Sequence, residues 1–416
     1  MAITTIVGSM LFAVDARATS LDEVLRYADE NAPTVRVALA RAELAAGAMA
    51  EAATPVPANP ELSVAAGVRA LDGAVGPELA VSVRQQLEVA GEPRLRRQAA
   101  SDQQAALQAE LEEIRWRLGV EARQLAVALV FARERTEAAS RAVEFSEAAR
   151  ANVARLVALG ELSPLELLAA DVEVAEAQER LLERRRLGEA LAEQLAALTG
   201  WVNPHELDAV EVELGPLTPA PPIEALFAAA VDRSAGLRAR ERAVDAAQSA
   251  YALERRDATP EPTVGLSFAR EAGPQPAPPA AVVLAEVTVP LPAWRRNDGA
   301  RALAAAEVVV AQRERELEAS TLRAELAAAA AEMDAAAARV QLHDDATLPS
   351  LESSLALLER AFELGEVDAV QVSRLRDRLL AAAEDRVDAR AAYYGARARL
   401  ESLAGVVLDE HIQVTP

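Results

Sequence analysis

The sequence predicts a mainly α-helical fold with a small β part, built from two copies of one unit that runs helix, strand pair, long helical hairpin. Composition is the first observation behind that expectation. Aromatic residues make up only 3% and charged residues 26% of a 416-residue chain dominated by Ala, Leu, Glu and Arg, which suits long helices packed closely on one another. Repetition is the second. Residues 35–64 align with 237–266, so that Val35-Arg36 meets Leu237-Arg238, Glu43 meets Asp245, Ala48 meets Ala250 and Pro60 meets Pro262. Leu62 and Val64 match Val264 and Leu266, and Val81 and Val83 match Val287 and Val289. Leu159-Gly160-Glu161 matches Leu364-Gly365-Glu366, and Gly200 matches Gly405. The spacing drifts by a few residues only, as small loop insertions cause, which marks a duplication.

The elements follow in order. An apolar stretch from Ala2 to Val14 ahead of Ala16-Arg17-Ala18, a small-x-small pattern, reads as a signal peptide over 1–18, although no basic residue precedes it and Asp15 ends it. The first repeat then covers 19–205, a Pro-rich linker 206–222, the second repeat 223–405 and a C-terminal tail 406–416. Leu21, Val24, Leu25, Ala28, Val35, Leu39 and Ala42 fall near helical spacing, predicting a helix over 20–53 that ends at the proline-rich run Thr54 to Pro60. Leu62, Val64, Ala66 and Val68, then Leu79, Val81 and Val83, alternate with polar or small residues, predicting a strand pair within 60–90. The second copy repeats it within 262–292, through Val264, Leu266, Phe268, Val283, Ala285, Val287 and Val289. From Arg94 to Leu156 there is no proline and Gly119 is the one glycine, so a helix of roughly 95 Å is expected at 1.5 Å per residue. Its counterpart over 300–362 contains Pro349, where a kink is expected. Return helices follow over 164–199 and 368–404.

Several function classes are excluded by composition. A net charge of −22, with all 43 basic residues arginine, leaves no basic face for nucleic acid. The absence of cysteine rules out disulfides, thiolate metal sites and a lipidated N-terminal cysteine. His205, His343 and His411 stand apart from one another and from ligand-spaced carboxylates, so no metal site is expected. No nucleophile motif, phosphate-cradling loop or dinucleotide fingerprint occurs, so neither catalytic residues nor a cofactor is expected. No run of 18 apolar residues follows the N-terminal segment, and a membrane span would have to be made of strands. Four strands cannot close a barrel, so copies must combine; two would supply eight strands and three would supply twelve.

The arrangement resembles the TolC-like outer-membrane efflux proteins across almost the whole chain after residue 18. The residues carrying the resemblance are Asn59-Pro60-Glu61-Leu62 and Pro77 to Val83 at the strands, Gly91-Glu92-Pro93-Arg94-Leu95-Arg96-Arg97 opening the long helix, and Val289 to Asn297 in the second copy. The early phrases look closest to the subgroup serving heavy-metal and cation exporters. The resemblance implies a homotrimer with a twelve-stranded transmembrane β-barrel continued by an α-barrel in the periplasm. It also implies a passive conduit in the outer membrane, contacting its lipid, a periplasmic adaptor and an inner-membrane pump, of the RND type by preference. The rivals are a periplasmic adaptor, which has one hairpin rather than two, and a soluble coiled-coil scaffold, which leaves the alternating strand pairs unexplained.

Three groups of candidate site residues follow. The helical-hairpin tips, Gly160, Glu161, Leu162 and Ser163 with Gly365, Glu366, Val367 and Asp368, are where the family receives its adaptor. Candidate gate residues nearby are Glu166, Phe362, Gln371 and Arg374. The family's basic residue two positions after the second glycine is Val367 here, and the positions often acidic in relatives are Gln371 and Arg374, which leaves a Glu166–Arg374 contact as the substitute. Arg94, Arg96, Arg97, Arg295 and Arg296 lie at helix starts, where the dipole disfavours cations. Lipid headgroups, with Trp294 as an interfacial anchor, would reward them there; pairing with neighbouring carboxylates would do so equally.

Overall fold

The computed structural model describes residues 19–56, 58–71, 74–271, 280–294, 296–363 and 369–408. The expected signal peptide and the tail from residue 409 lie outside them. Element order is α1 (Leu21–Asn31), α2 (Pro33–Ala52), β1 (Glu61–Leu71), β2 (Ala74–Gln86), α3 (Glu92–Ala158), α4 (Pro164–Thr199) and α5 (Pro204–Leu207). The second copy continues with α6 (Ile223–Arg233), α7 (Ala235–Arg256), β3 (Thr263–Glu271), β4 (Ala280–Thr288), α8 (Asp298–Leu342), a π-helical turn (His343–Thr347), α9 (Leu348–Glu363) and α10 (Ala369–Ala404). The two compact units of the chain do not coincide with the two repeats: one gathers Met1–Arg36, Ile114–Ser234 and Leu322–Pro416, the other Val37–Glu113 and Ala235–Thr321. Each unit therefore draws on both copies.

The first unit is helical. Ser20 caps α1 by accepting the Glu23 N–H at 3.3 Å. Its core joins Val24, Ala122, Ala126, Leu129, Ala192, Leu195, Ala196, Leu207 and Val210. Alanine at so many of these positions keeps the side-chain layer thin, and thin layers bring helix axes close. Phe131 and Tyr394 stack at 5.8 Å, and the Arg390 guanidinium lies 5.4 Å from the centre of the Phe131 ring. The ends of the two return helices are alike. Gly200 and Gly405 both take left-handed backbone, at φ 76° and 64°. Behind them Trp201 N–H reaches the Ala196 carbonyl and Val406 N–H the Glu401 carbonyl, each five residues back, as a Schellman cap requires.

One expectation needs correction here, and two others gain detail. The helix expected over 20–53 is two helices, because Pro33 offers no N–H and forces Ala32 into extended backbone (ψ 134°). The linker expected over 206–222 is a strap rather than a tether. Leu207 and Val210 are fully buried, Arg133 donates to the carbonyls of Asp208 and Val210 at 3.1 Å, and Tyr394 Oη donates to the Gly215 carbonyl at 2.7 Å. Arg397, 7% exposed, holds the same strap through the Pro216 carbonyl at 2.8 Å while pairing with Glu401 at 2.9 Å. Just upstream of Pro349, where a kink is expected, the helix widens into a π-helical turn in which Leu348 N–H reaches back to the His343 carbonyl. A proline leaves the carbonyl four residues earlier without its donor, and a wider turn accommodates that loss.

The second unit holds one antiparallel sheet of order β1-β2-β3-β4. The registers run Leu62↔Val83, Val83↔Leu266 and Leu266↔Ala285, so one row crosses all four strands. The strands observed, 61–71, 74–86, 263–271 and 280–288, fall inside the expected pairs.

Candidate functional site

Because side chains alternate along a strand, the shared register sorts the sheet into two faces. One carries Leu62, Val64, Val68, Val75, Leu79, Val83, Val264, Leu266, Phe268, Val283 and Val287. All are exposed, from 37% at Val264 to 75% at Val68. Gln85 and Arg270 stand on the same face, opposite Val264 and Leu79. An apolar surface of that continuity is not left to water in a stable protein.

The opposite face is polar or small except at Val282 and Leu284 on β4. Its rows are Glu61–Arg84–Gly265–Glu286, then Ser63–Ser82–Ser267–Leu284, then Ala65–Ala80–Ala269–Val282. Beyond them lie Gly67 opposite Glu78, and Glu271 opposite Ala280. Arg69 pairs with Glu78 and, at 3.2 Å, with Glu271; Arg84 reaches Glu286 at 3.6 Å. Gly265 makes that second reach possible, since a Cβ there would stand 3.3 Å from Arg84 Cγ and 3.7 Å from Glu286 Cβ. β1 and β4 each leave one edge without a partner strand among the described residues.

Helix starts beside the sheet hold a group that the sequence reading did not single out. Glu92 is 2% exposed and accepts the Ala90 N–H at 2.8 Å, and the Glu88 side chain is 4% exposed and pairs with Arg96. Each keeps one buried carboxylate oxygen without a hydrogen-bond partner among the described residues. Asp257 and Glu261 belong to the same group. Burial pushes the Asp257 carboxyl above the ordinary range, and Glu254, Glu92 and Glu88 push it further, against Arg96. Burial also raises Glu261, as do Glu88, Glu92 and Asp257, while its hydrogen bond from Gln86 opposes the rise. Arg96 pairs with Glu88 and donates to the Thr54 carbonyl at 3.0 Å. Arg94, Arg97 and Arg296 are exposed, the last two donating to the Pro93 and Pro292 carbonyls of their own segments. Trp294 is 96% exposed, and Arg295 lies outside the described residues.

In the helical unit, the first tip closes with Gly160 at φ 79°, its N–H donating to the Val157 carbonyl and that of Glu161 to Leu156. Nothing stands within 4 Å of a Cβ placed on Gly160. Ser163 and Glu166 form a capping box, with Glu166 Oε2 accepting the Ser163 N–H at 2.7 Å. Glu166 is therefore engaged by its own helix, and no ion pair joins it to the exposed Arg374 among the described residues. Gln371 is also exposed; Gly365, Glu366, Val367, Asp368 and the side chain of Phe362 lie outside the described residues. Among the described residues no group of three His, Cys, Asp or Glu has the geometry of a metal site, and no helix is long and apolar enough to cross a membrane.

Comparison with known proteins fits this geometry. Residues 226–406 match the family described as outer membrane efflux protein. The cobalt-zinc-cadmium resistance protein CzcC of Cupriavidus metallidurans is 25% identical over 287 residues, covering 69% of this chain and 67% of that one. The outer-membrane channel OprN superposes with a TM-score of 0.74 at 19% identity, over 92% of this chain and 89% of the other. The outer membrane protein VceC of Vibrio cholerae gives 0.72 at 17% identity, over 94% and 97%.

Proposed function

We propose that this chain, a TolC-like member of the outer-membrane efflux protein family, works as a trimer with a periplasmic adaptor and an inner-membrane pump of the RND type, exporting divalent metal cations. The chain is an outer-membrane efflux channel subunit. One observation supports the trimeric duct above the rest: a single-layer sheet with an exposed apolar face and two unpartnered edges. Lipid satisfies such a face, but hydrocarbon tolerates no open edge, so β4 of one copy must pair with β1 of the next until the wall closes. With an even number of antiparallel strands those edges run in opposite directions, and every junction is antiparallel like the rest. Metal cations as cargo are supported by the resistance named for CzcC and by the acidity of this chain. The first tip, Gly160 to Ser163, and its counterpart Gly365 to Asp368 are the proposed docking surface for the adaptor.

The test combines fractionation with a resistance assay. The chain should enter the outer-membrane fraction, require detergent for extraction and give three-chain cross-linked products. Its deletion should raise sensitivity to zinc, cobalt and cadmium. A detergent-free soluble monomer would overturn the duct. Unchanged metal sensitivity with raised drug sensitivity would overturn the cargo alone.

A further inference from the structure

The polar face of the sheet is not uniform, and its pattern carries a second conclusion that rests on the duct reading above. Charge is confined to two levels. At one, Glu61 lies opposite Arg84, which reaches across Gly265 to Glu286; Glu286 also accepts from the Thr288 hydroxyl at 3.2 Å. At the other, Arg69 pairs with both Glu78 and Glu271. Between them the rows hold only serine, alanine, valine and leucine. Each level has two carboxylates and one guanidinium, leaving one net negative charge per chain. At the first level the surplus charge is Glu61, exposed and without an ion-pair partner among the described residues.

We propose that these two levels, Glu61–Arg84–Glu286 and Arg69–Glu78–Glu271, act as independent cation-favouring filters inside the β-barrel. If the apolar face meets lipid, this face meets the water of the lumen, and three chains place a ring of surplus negative charge at each level. A ring of one sign in a narrow aqueous space concentrates counter-ions. Glu61 and Gly67 are six residues apart on one strand, roughly 20 Å at 3.3 Å per residue. That exceeds the Debye length of about 10 Å at 0.1 M salt, so each ring is screened from the other and their effects should multiply. The arginines are part of the device. Arg84 holds Glu286 across β3, where Gly265 keeps the crossing free of a side chain, and Arg69 holds Glu78 and Glu271.

The experiment is ion selectivity in a planar bilayer, read as the potassium-to-chloride permeability ratio under a salt gradient near 0.1 M. Glu61→Gln should lower the ratio about twofold, and Arg84→Gln, which exposes a second surplus carboxylate, should raise it by a similar factor. Glu61→Gln combined with Glu271→Gln should lower it by the product of the two single effects. Near 1 M salt, where the screening length is about 3 Å, the differences should vanish. Conducting channels whose ratio is unchanged, or moves in the same direction in Glu61→Gln and Arg84→Gln, would overturn the filters and leave the duct standing. Failure of the unmodified chain to conduct at all would overturn the duct, and the filters with it.

Discussion

Val24 and Val64 are the same residue with opposite surroundings. Val24 is fully buried in the helical core, whereas Val64 is 62% exposed on the sheet. The contrast extends to their regions. In the helical unit Leu195, Phe131 and Tyr393 are fully buried by neighbours on the same chain. On the sheet Leu62, Val68, Leu266 and Val287 are 60% exposed or more, along one face of a single layer. A sheet ordinarily hides its apolar face against a second layer. Here the second layer has to be supplied by the surroundings, so one region is stabilised in water by its own packing and the other only when lipid covers it.

Substitution should separate the two regions most sharply. Phe131→Ala removes a ring stacked on Tyr394, and truncation of a buried Phe costs about 3–5 kcal/mol. It should lower the thermal midpoint of the helical signal in detergent while leaving membrane insertion intact. Val64→Arg removes no packed contact of comparable size, yet a charge on a lipid-facing strand costs about 2–4 kcal/mol near the bilayer centre. Its loss should appear as reduced assembly in the outer-membrane fraction. Equal behaviour of the two variants in both assays would break the comparison.

How much of this was legible in the sequence differs by region for the same reason. The strands were readable because Leu62, Val64, Ala66 and Val68 keep a period of two, and that same period places Glu61, Arg69, Arg84 and Glu286 on the other face. The charged rows could have been found from that alternation alone; the pairing of Arg84 with Glu286 could not, because it needs the register across Gly265. The long helix α3 followed from a run without proline, and the first hairpin turn from Gly160; the second tip lies outside the described residues. The strap escaped notice because Pro216, Pro219, Pro221 and Pro222 suggest a tether, and only the partners of Tyr394 and Arg397 show it fastened. The carboxylate group around Glu92 was invisible for a similar reason: Asp257 and Glu261 come from a part of the chain distant from Glu88 and Glu92.

Two glycines refine the contrast between packed and open positions. Both Gly200 and Gly160 have left-handed backbone, which costs an alanine about 1–2 kcal/mol. A Cβ on Gly200 would also stand 2.5 Å from the Asn31 carbonyl oxygen, whereas nothing lies within 4 Å at Gly160. Gly200→Ala should therefore destabilise by about 3 kcal/mol, and Gly160→Ala by about 1 kcal/mol, in denaturant unfolding of the detergent-solubilised protein. Gly160→Trp should leave trimer yield close to normal while lowering metal export, if the tip receives an adaptor. Normal export by that variant would remove the first tip from the docking surface.

The smallest expected effect comes from the charges. In the helical unit the buried Arg397 has partners in Glu401 and the Pro216 carbonyl. In the sheet unit Asp257 and Glu261 titrate above the ordinary carboxylate range, because burial and neighbouring carboxylates outweigh the attraction of Arg96 and the hydrogen bond from Gln86. A carboxyl raised on folding binds its proton more tightly in the folded state. Its favourable contribution is therefore complete at low pH and is lost as pH rises through the raised value. The unit should gain stability as pH falls through the raised values of Asp257 and Glu261, before its paired carboxylates begin to lose their charge. Asp257→Asn fixes the neutral form and should raise the thermal midpoint at pH 7 by about 1–3 °C, a small shift because the group is largely solvated. The advantage should shrink as the pH is lowered through the raised value of Asp257. An Asp257→Asn protein whose midpoint falls at pH 7, or whose advantage is the same at the lower pH, would show that the ionised carboxylate is needed there, and the two units would then handle buried charge alike.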